Sequence, residues 1–83
     1  MADHPLKLAR LRKILRSFGI DEDPSRSRGS HTVFFKQIDG RWYTYPVPTN
    51  HSDVGQPYVR GCRKKFRLTA EDGVSDEVFY GAG

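Results

Sequence analysis

A β-hairpin signal in the middle of the chain constrains the fold more than any other feature of the sequence. Residues 32–38 are rich in β-branched and aromatic side chains, Asp39-Gly40 follows, and residues 41–47 form a second run of the same kind. Asp-Gly between two such runs favours a two-residue hairpin turn, because both positions tolerate the positive φ that the turn requires. We expect Pro46 and Pro48 to end the second strand, since proline cannot donate a hydrogen bond to the ladder.

The turn also predicts the register of the hairpin. With Asp39 and Gly40 at its centre, Phe34 lies opposite Tyr45 and Lys36 lies opposite Tyr43, and alternate side chains share a face. The predicted faces are Phe34, Tyr43, Tyr45 and Val47 on one side and His31, Val33, Phe35 and Trp42 on the other. Both faces carry apolar side chains, so the pattern leaves open which of them is buried.

An amphipathic helix precedes the hairpin. Its apolar positions recur at helical spacing and are Leu8, Leu11, Ile14, Leu15 and Phe18. We expect Asp3 to cap this helix, Pro5 to lie in its first turn and Gly19 to end it. Residues 20–28 are polar and predict at most a short extended segment followed by a loop.

Two further helices are predicted after the hairpin. Pro57 opens the first, which runs through Phe66 and approaches Leu68, although Gly61 costs it about 1 kcal/mol relative to alanine. Ser75 caps a last short helix, with acidic residues in the first turn, where the helix dipole favours them. Residues 49–56 between hairpin and helix are predicted to form a polar loop.

Composition bounds the class of protein. A chain of 83 residues allows one domain with a modest core. The apolar runs are shorter than the ~18 residues that span a bilayer, and cations interrupt the first apolar residues, so we expect neither a membrane segment nor a signal peptide. The single cysteine, Cys62, cannot form an internal disulfide, which favours a reducing compartment and a cytoplasmic location.

The excess of basic residues points to an acidic partner. There are 14 Lys and Arg against 10 Asp and Glu, which gives a formal net charge of +4. The densest basic set lies on the second helix and comprises Arg60, Arg63, Lys64, Lys65 and Arg67. Two interpretations stay open for it: a solvated helix face, or a surface that contacts phosphates with salt-dependent affinity.

The candidate catalytic residue lies in the segment that leads into the hairpin. Gly29 and Ser30 lead into His31, with Arg26 and Arg28 just before them. Imidazole can both accept and donate a proton near neutral pH, although a single histidine at a strand edge is more often a solvated surface residue. His4, His31, His51 and Cys62 lack the spacing of metal ligands, so neither a metal nor another cofactor is expected.

Several of these features together resemble the HicA toxins of bacterial toxin–antitoxin pairs. They are the basic helix that ends in Phe18-Gly19, the Gly29-Ser30-His31 motif, and the hairpin that ends in Tyr45-Pro46-Val47-Pro48. The second half, from Cys62-Arg63-Lys64-Lys65-Phe66 to Phe79-Tyr80-Gly81, is similar to a longer branch of that family. The resemblance covers nearly all of residues 1–83 as a single domain, with residues 69–83 as a C-terminal extension.

The resemblance implies an α+β fold like that of double-stranded-RNA-binding domains. In it, an α-β-β-β-α chain packs its helices on one face of a three-stranded antiparallel sheet, and a short C-terminal helix follows. The implied activity is that of a type II toxin, a metal-independent ribonuclease that cleaves mRNA with His31 as general acid or base and that a HicB-like antitoxin silences. The free protein is expected to be a monomer.

The predicted RNA-binding residues are Arg26, Arg28, Ser30, Lys36, Arg60, Arg63, Lys64 and Lys65. Arg26, Arg28 or Lys36 would stabilise the charge on the reacting phosphate. With one candidate histidine, the second proton-transfer group would come from Tyr43, Tyr45 or a lysine. Two other functions stay open: an RNA-binding module without catalysis, and a basic domain that docks an acidic protein.

Overall fold

The structure is a computed structural model and describes residues 3–26 and 29–83. It is an α+β fold with a three-stranded antiparallel sheet, as the sequence predicts. In chain order the elements are β1 (Leu6–Lys7), α1 (Leu8–Ser17), β2 (Asp21–Glu22), β3 (His31–Ile38), β4 (Arg41–Pro48), β5 (Asp53–Val54), α2 (Gln56–Lys65), a 3-10 turn (Ala70–Asp72) and α3 (Asp76–Gly81). No helix among the described residues is long and apolar enough to cross a membrane.

The hairpin has the predicted turn and register. Asp39 and Gly40 both adopt positive φ, at 51° and 79°, as a two-residue turn of this kind requires. Phe34 lies opposite Tyr45, and Lys36 lies opposite Tyr43. β2 adds the third strand on the other side of β3, in the order β2-β3-β4.

The return strand ends at Pro48, so the prediction that prolines end it is correct for Pro48 and wrong for Pro46. β4 continues through Pro46 to Pro48 and stays paired with β3. Just beyond, the amide of Thr49 donates to the carbonyl of Ser30 at 2.7 Å. Because hydrogen-bonded pairs alternate along an antiparallel ladder, Pro46 and Pro48 occupy positions whose nitrogens point away from β3. The ladder therefore loses no donor at either proline.

The face of the hairpin that carries Phe34 and Val47 is the buried one. Both side chains are buried in a single apolar cluster with residues from the helices. The cluster consists of Leu11, Ile14, Leu15, Ile20, Phe34, Val47, Val54, Val59, Cys62, Phe66, Leu68 and Phe79. On the opposite face Trp42 is 65% exposed and contacts Phe35, with 5.8 Å between ring centroids.

Helix α1 begins later than predicted, and Asp3 does not cap it. The N-cap is Lys7, without a side-chain hydrogen bond, while Asp3 accepts hydrogen bonds from Arg63 and Tyr80. Charge and burial explain the difference, because a nearly buried guanidinium binds a carboxylate more strongly than an exposed helix end does. Gly19 follows the helix with φ 78°, as predicted.

Arg63 lies inside the protein at the meeting point of three segments. It is 3% exposed, and its Nη1 lies 2.7 Å from Asp3 Oδ1 and 2.6 Å from Asp76 Oδ1. Its Nε donates to the carbonyl of Leu68 at 2.9 Å, and its Nη2 donates to that of Val74 at 3.2 Å. This arginine therefore joins the start of the chain, α2 and the C-terminal extension.

The C-terminal extension packs on the body of the domain. Ser75 accepts a hydrogen bond from the amide of Val78 and caps α3, as predicted. Phe79 is buried, and the carbonyl of Tyr80 accepts a hydrogen bond from Arg10 at 3.0 Å. Val78, the neighbour of Phe79 in α3, is 55% exposed.

Part of the predicted loop 49–56 is a strand. β5 pairs with β1 through Leu6↔Val54 and Lys7↔Asp53, and Lys7 Nζ lies 2.9 Å from Asp53 Oδ1. Val54 is buried in the core. This small second sheet attaches the segment before α2 to the start of α1.

Helix α2 begins at Gln56, one residue before the predicted start, and ends at Lys65, so Leu68 lies beyond it.

Gly61 of α2 makes room for the side chain of Tyr45 in β4. A Cβ at Gly61 would lie 2.5 Å from Cζ of Tyr45 and would overlap the Tyr45 hydroxyl. The loss of helix propensity at this position is therefore offset by close packing between α2 and β4.

We expect Gly61→Ala to destabilise the protein, although alanine is the better helix former. The gain in propensity is about 1 kcal/mol, whereas forcing extra atoms into a packed contact costs typically about 1–3 kcal/mol. Urea unfolding of wild type, Gly61→Ala, Tyr45→Ala and the double variant measures the energetic coupling between positions 45 and 61. In the Tyr45→Ala background the alanine should be neutral or stabilising. A Gly61→Ala variant more stable than wild type contradicts the packing argument.

Asp3 should make folding stability sensitive to acid. Burial raises the pKa of Asp3, but hydrogen bonds from Arg63 and Tyr80 outweigh burial and hold that pKa below the ordinary 3.8. A carboxylate with a lowered pKa stabilises the folded state at neutral pH, and its contribution disappears as the pH falls below the ordinary value and through the folded pKa. The free energy of unfolding of Asp3→Asn should therefore be lower than that of wild type by roughly 1–3 kcal/mol at neutral pH. Below pH 3.8, the ordinary pKa of aspartate, the two stabilities should differ less. Thermal unfolding against pH, beside the exposed-carboxylate control Glu71→Gln, measures the effect; an equal loss at all pH values contradicts it.

Candidate functional site

A cleft of about 860 Å³ opens where β3 begins, beside the loop that follows β4 and the first turn of α2. Two parts of the chain that are distant in sequence, residues 30–31 and residues 48–58, meet there. The lining residues are Ser30, His31, Pro48, Asn50, His51, Ser52, Asp53, Val54, Gly55 and Tyr58. The side chain singled out for chemistry, His31, therefore lies in a concave site.

His31 is exposed at the first position of β3. Its Nδ1 lies 3.0 Å from Ser30 Oγ, within hydrogen-bonding distance. This contact engages Nδ1 and leaves Nε2 for proton transfer with a substrate. Ser30 thus has a defined place in the cleft as the residue that orients the imidazole.

His51 lines the same cleft, although the sequence analysis gives it no role. The loop that carries it is fixed at both ends, because Thr49 N donates to the carbonyl of Ser30 at 2.7 Å and Leu8 N donates to that of Ser52 at 2.9 Å. The predicted hairpin register already pairs His31 with Pro48, which places the following loop beside His31. That register is the signal that could have identified His51 from the sequence.

Helix α2 starts at the wall of the cleft. Gly55 is its N-cap and Tyr58 lies in its first turn, and both line the cleft. The N-terminal end of a helix carries partial positive charge and favours anions. None of the described residues that line the cleft is a lysine or an arginine, so among them the N-terminal end of α2 is the feature that favours an anion.

Two predicted phosphate-binding residues lie elsewhere and have structural contacts. Arg63 is buried in its ion pairs with Asp3 and Asp76, so it is not part of an exposed basic surface. Lys36 is on the buried side of β3, where its Nζ donates to the carbonyl of Phe18 at 2.7 Å. A cation at the end of α1 complements the helix dipole.

The other basic candidates among the described residues are exposed but do not line the cleft. Arg60 and Lys64 border a neighbouring depression of about 520 Å³ along α2. Lys65 lies with its Nζ 5.9 Å from the ring centroid of Tyr43. Arg26 is exposed in the loop after β2, and Arg28 lies outside the described residues.

Neither tyrosine proposed as a second proton-transfer group is in the cleft. Burial, followed by the nearby Cys62 and Tyr58, raises the pKa of Tyr45, whose ring packs against Gly61. The Tyr43 hydroxyl accepts a hydrogen bond from Arg67 at 3.2 Å. Both side chains point to the helical side of the sheet, away from His31.

Neither the single cysteine nor the possible metal-ligating side chains of the described residues add a reactive site. Cys62 is buried, and burial raises the pKa of its thiol to about 12, so it is a core residue rather than a nucleophile. Within residues 3–26 and 29–83, no group of three or more His, Cys, Asp or Glu side chains is arranged to hold a metal ion.

Comparisons of the chain with protein-family models, with curated proteins and with solved structures find no match. The proposed function therefore rests on the geometry of the cleft and on the distribution of charge around it.

Proposed function

We propose that the protein is a ribonuclease that cleaves mRNA, with His31 as a general acid or base. The observation that supports this most directly is the position of His31. Its imidazole is exposed in a cleft, is hydrogen-bonded to Ser30 at 3.0 Å and lies beside the N-terminal end of α2. A proton-transfer group beside a site that favours anions suits the cleavage of a phosphodiester.

RNA supplies the nucleophile for this reaction. Its 2′-hydroxyl attacks the adjacent phosphorus once a base removes the proton, and the bond from phosphorus to the 5′ oxygen of the next nucleotide breaks. The products are a 2′,3′-cyclic phosphate and a 5′-hydroxyl. DNA lacks the 2′-hydroxyl, so the proposed reaction is specific for RNA.

The exposed cations of α2 would hold the RNA backbone next to the cleft. Tyr58 lines the cleft and Arg60 borders the neighbouring depression together with Lys64. A strand that leaves the cleft along α2 therefore passes these cations, whose contacts with phosphates add salt-dependent affinity. Lys65 extends the same exposed basic surface.

We further propose the biological setting that the resemblance to HicA toxins implies. In it, the chain is a cytoplasmic type II toxin, monomeric when free, and a HicB-like antitoxin binds and silences it. The fold would then be of the double-stranded-RNA-binding type. The order α1-β2-β3-β4-α2 and a core on one side of the sheet are compatible with that assignment.

The purified protein should cleave a long single-stranded RNA in the presence of EDTA, and His31→Ala should remove that activity. Loss of a general acid or base lowers the rate by about 10²–10⁴-fold. The matched control is His4→Ala, because His4 stacks on Tyr80 instead, with 4.0 Å between ring centroids. Gel analysis of the RNA and circular dichroism of each variant measure cleavage and folding.

The results of this experiment distinguish the ribonuclease from the two other functions, an RNA-binding module and a protein-interaction domain. RNA that stays intact but bound favours a non-catalytic RNA-binding module, and an absence of RNA affinity at physiological salt favours a protein-interaction domain. The toxin assignment is tested with the same variants, since expression of the wild type should arrest growth of the host and His31→Ala should not. Growth of cells that express active wild type would contradict that assignment.

Removing one cation of α2 should weaken RNA binding mainly at low salt. For a single phosphate contact, the slope of log K against log[salt] should fall by about 0.7 on single-stranded RNA. Lys64→Ala tests this against Lys13→Ala, which removes the same charge from the exposed side of α1. Fluorescence anisotropy with labelled RNA and a series of salt concentrations measures both slopes. Equal slopes for Lys64→Ala and wild type would remove α2 from the proposed RNA path.

A further inference from the structure

We infer that His51 is the second proton-transfer group of the cleft and acts together with His31 on the same phosphodiester. This inference rests on the proposed ribonuclease function and adds a catalytic residue to it. It follows from three observations: the lining of the cleft, the anchoring of the loop that carries His51, and the positions of the other candidate groups.

Cleavage of RNA through the 2′-hydroxyl requires two proton transfers. One group takes the proton from the 2′-oxygen as that oxygen bonds to phosphorus, and another gives a proton to the 5′-oxygen as its bond to phosphorus breaks. The two groups exchange protons with water between turnovers, so charge and atoms balance. A site with one imidazole performs only half of this work efficiently.

The cleft contains a second imidazole and few alternatives to it. Among its lining residues in the part of the chain that the structure describes, the titratable side chains are His31, His51, Asp53 and Tyr58. Asp53 forms an ion pair with Lys7 at 2.9 Å, which offsets its charge. Phenols ordinarily titrate near pH 10, whereas imidazole titrates near neutral pH, so His51 is the better match for proton transfer under ordinary conditions.

The position of His51 relative to His31 is set by the backbone. Thr49, two residues before His51, is hydrogen-bonded through its amide to Ser30, the neighbour of His31. Two residues extend the chain by at most about 7 Å, so the loop cannot carry His51 far from the start of β3. On its other side, Ser52 is held by the amide of Leu8 and Asp53 by β1.

The absence of cations from the described lining of the cleft supports the same assignment. A reacting phosphate gains negative charge in the transition state, and positive groups at that point supply much of the stabilisation. Since no lysine or arginine of the described residues lines the cleft, a protonated imidazole is the side chain present that can carry a full positive charge there. Two histidines can divide the roles so that one is neutral and the other protonated.

The decisive experiment compares His51→Asn and His31→Ala on two RNA substrates, one normal and one with sulfur in place of the 5′-bridging oxygen at a single cleavage site. A thiolate leaves without a proton, so the sulfur substrate needs no general acid. On normal RNA both variants should be slowed by about 10²–10⁴-fold. On the sulfur substrate, one of the two variants should recover and the other should not.

The pH profile supplies a readout that a purely structural role would not change. Wild-type kcat/KM should rise and fall with pH, because it needs one protonated and one neutral group. His51→Asn should lose one of these two limbs, while His4→Ala should keep both. Circular dichroism should show that His51→Asn is folded, as expected for a substitution of an exposed loop residue.

Each alternative result overturns the inference in a distinguishable way. If His31→Ala is inactive and His51→Asn cleaves like wild type, the ribonuclease stands and His51 has no catalytic role. If both variants are slow and neither recovers on the sulfur substrate, the pair does not divide acid and base between them. If wild type itself leaves RNA intact, the proposed function fails before His51 is tested.

Discussion

The buried guanidinium of Arg63 is the interaction on which the arrangement of the domain depends. It forms ion pairs with Asp3 and Asp76 and donates hydrogen bonds to the carbonyls of Leu68 and Val74, so one side chain joins residues that are far apart in sequence. Burial lowers the pKa of Arg63, but its hydrogen bonds to both carboxylates outweigh burial and raise that pKa. A charge buried in this way is stable only while its partners remain, which makes the C-terminal extension part of the domain.

The site depends on this arrangement indirectly. α2 carries Arg63 at one end and Tyr58 at the other, so the ion pairs that hold the helix in place also position the wall of the cleft. β1 and β5 fix the loop on the opposite wall. His31 and His51 themselves are exposed, as groups that must meet a substrate have to be, and their positions come from the elements beneath them.

Elements that depend on residues close together in the sequence were predicted from it. Asp39-Gly40 predicted turn and register together, and the spacing of Leu8, Leu11 and Leu15 predicted α1. Long-range contacts were not predictable in this way. Arg63 resembles its exposed neighbours Lys64 and Lys65 in sequence, and only tertiary packing distinguishes it. The Gly29-Ser30-His31 motif made His31 a candidate in the sequence, whereas His51 has no motif of its own and its place beside His31 follows from the hairpin register.

The two prolines of β4 have a consequence for association between molecules. β4 is the edge of the described sheet, and the nitrogens of Pro46 and Pro48 face that edge without a hydrogen to donate. An incoming strand would therefore find two donors missing on this half of β4, and an open edge of this kind resists templated pairing and aggregation. The other edge, β2, is two residues long. The sheet is thus protected against extension on both sides, which leaves the face that carries Phe35 and the exposed Trp42 as the part of the sheet still open to contact.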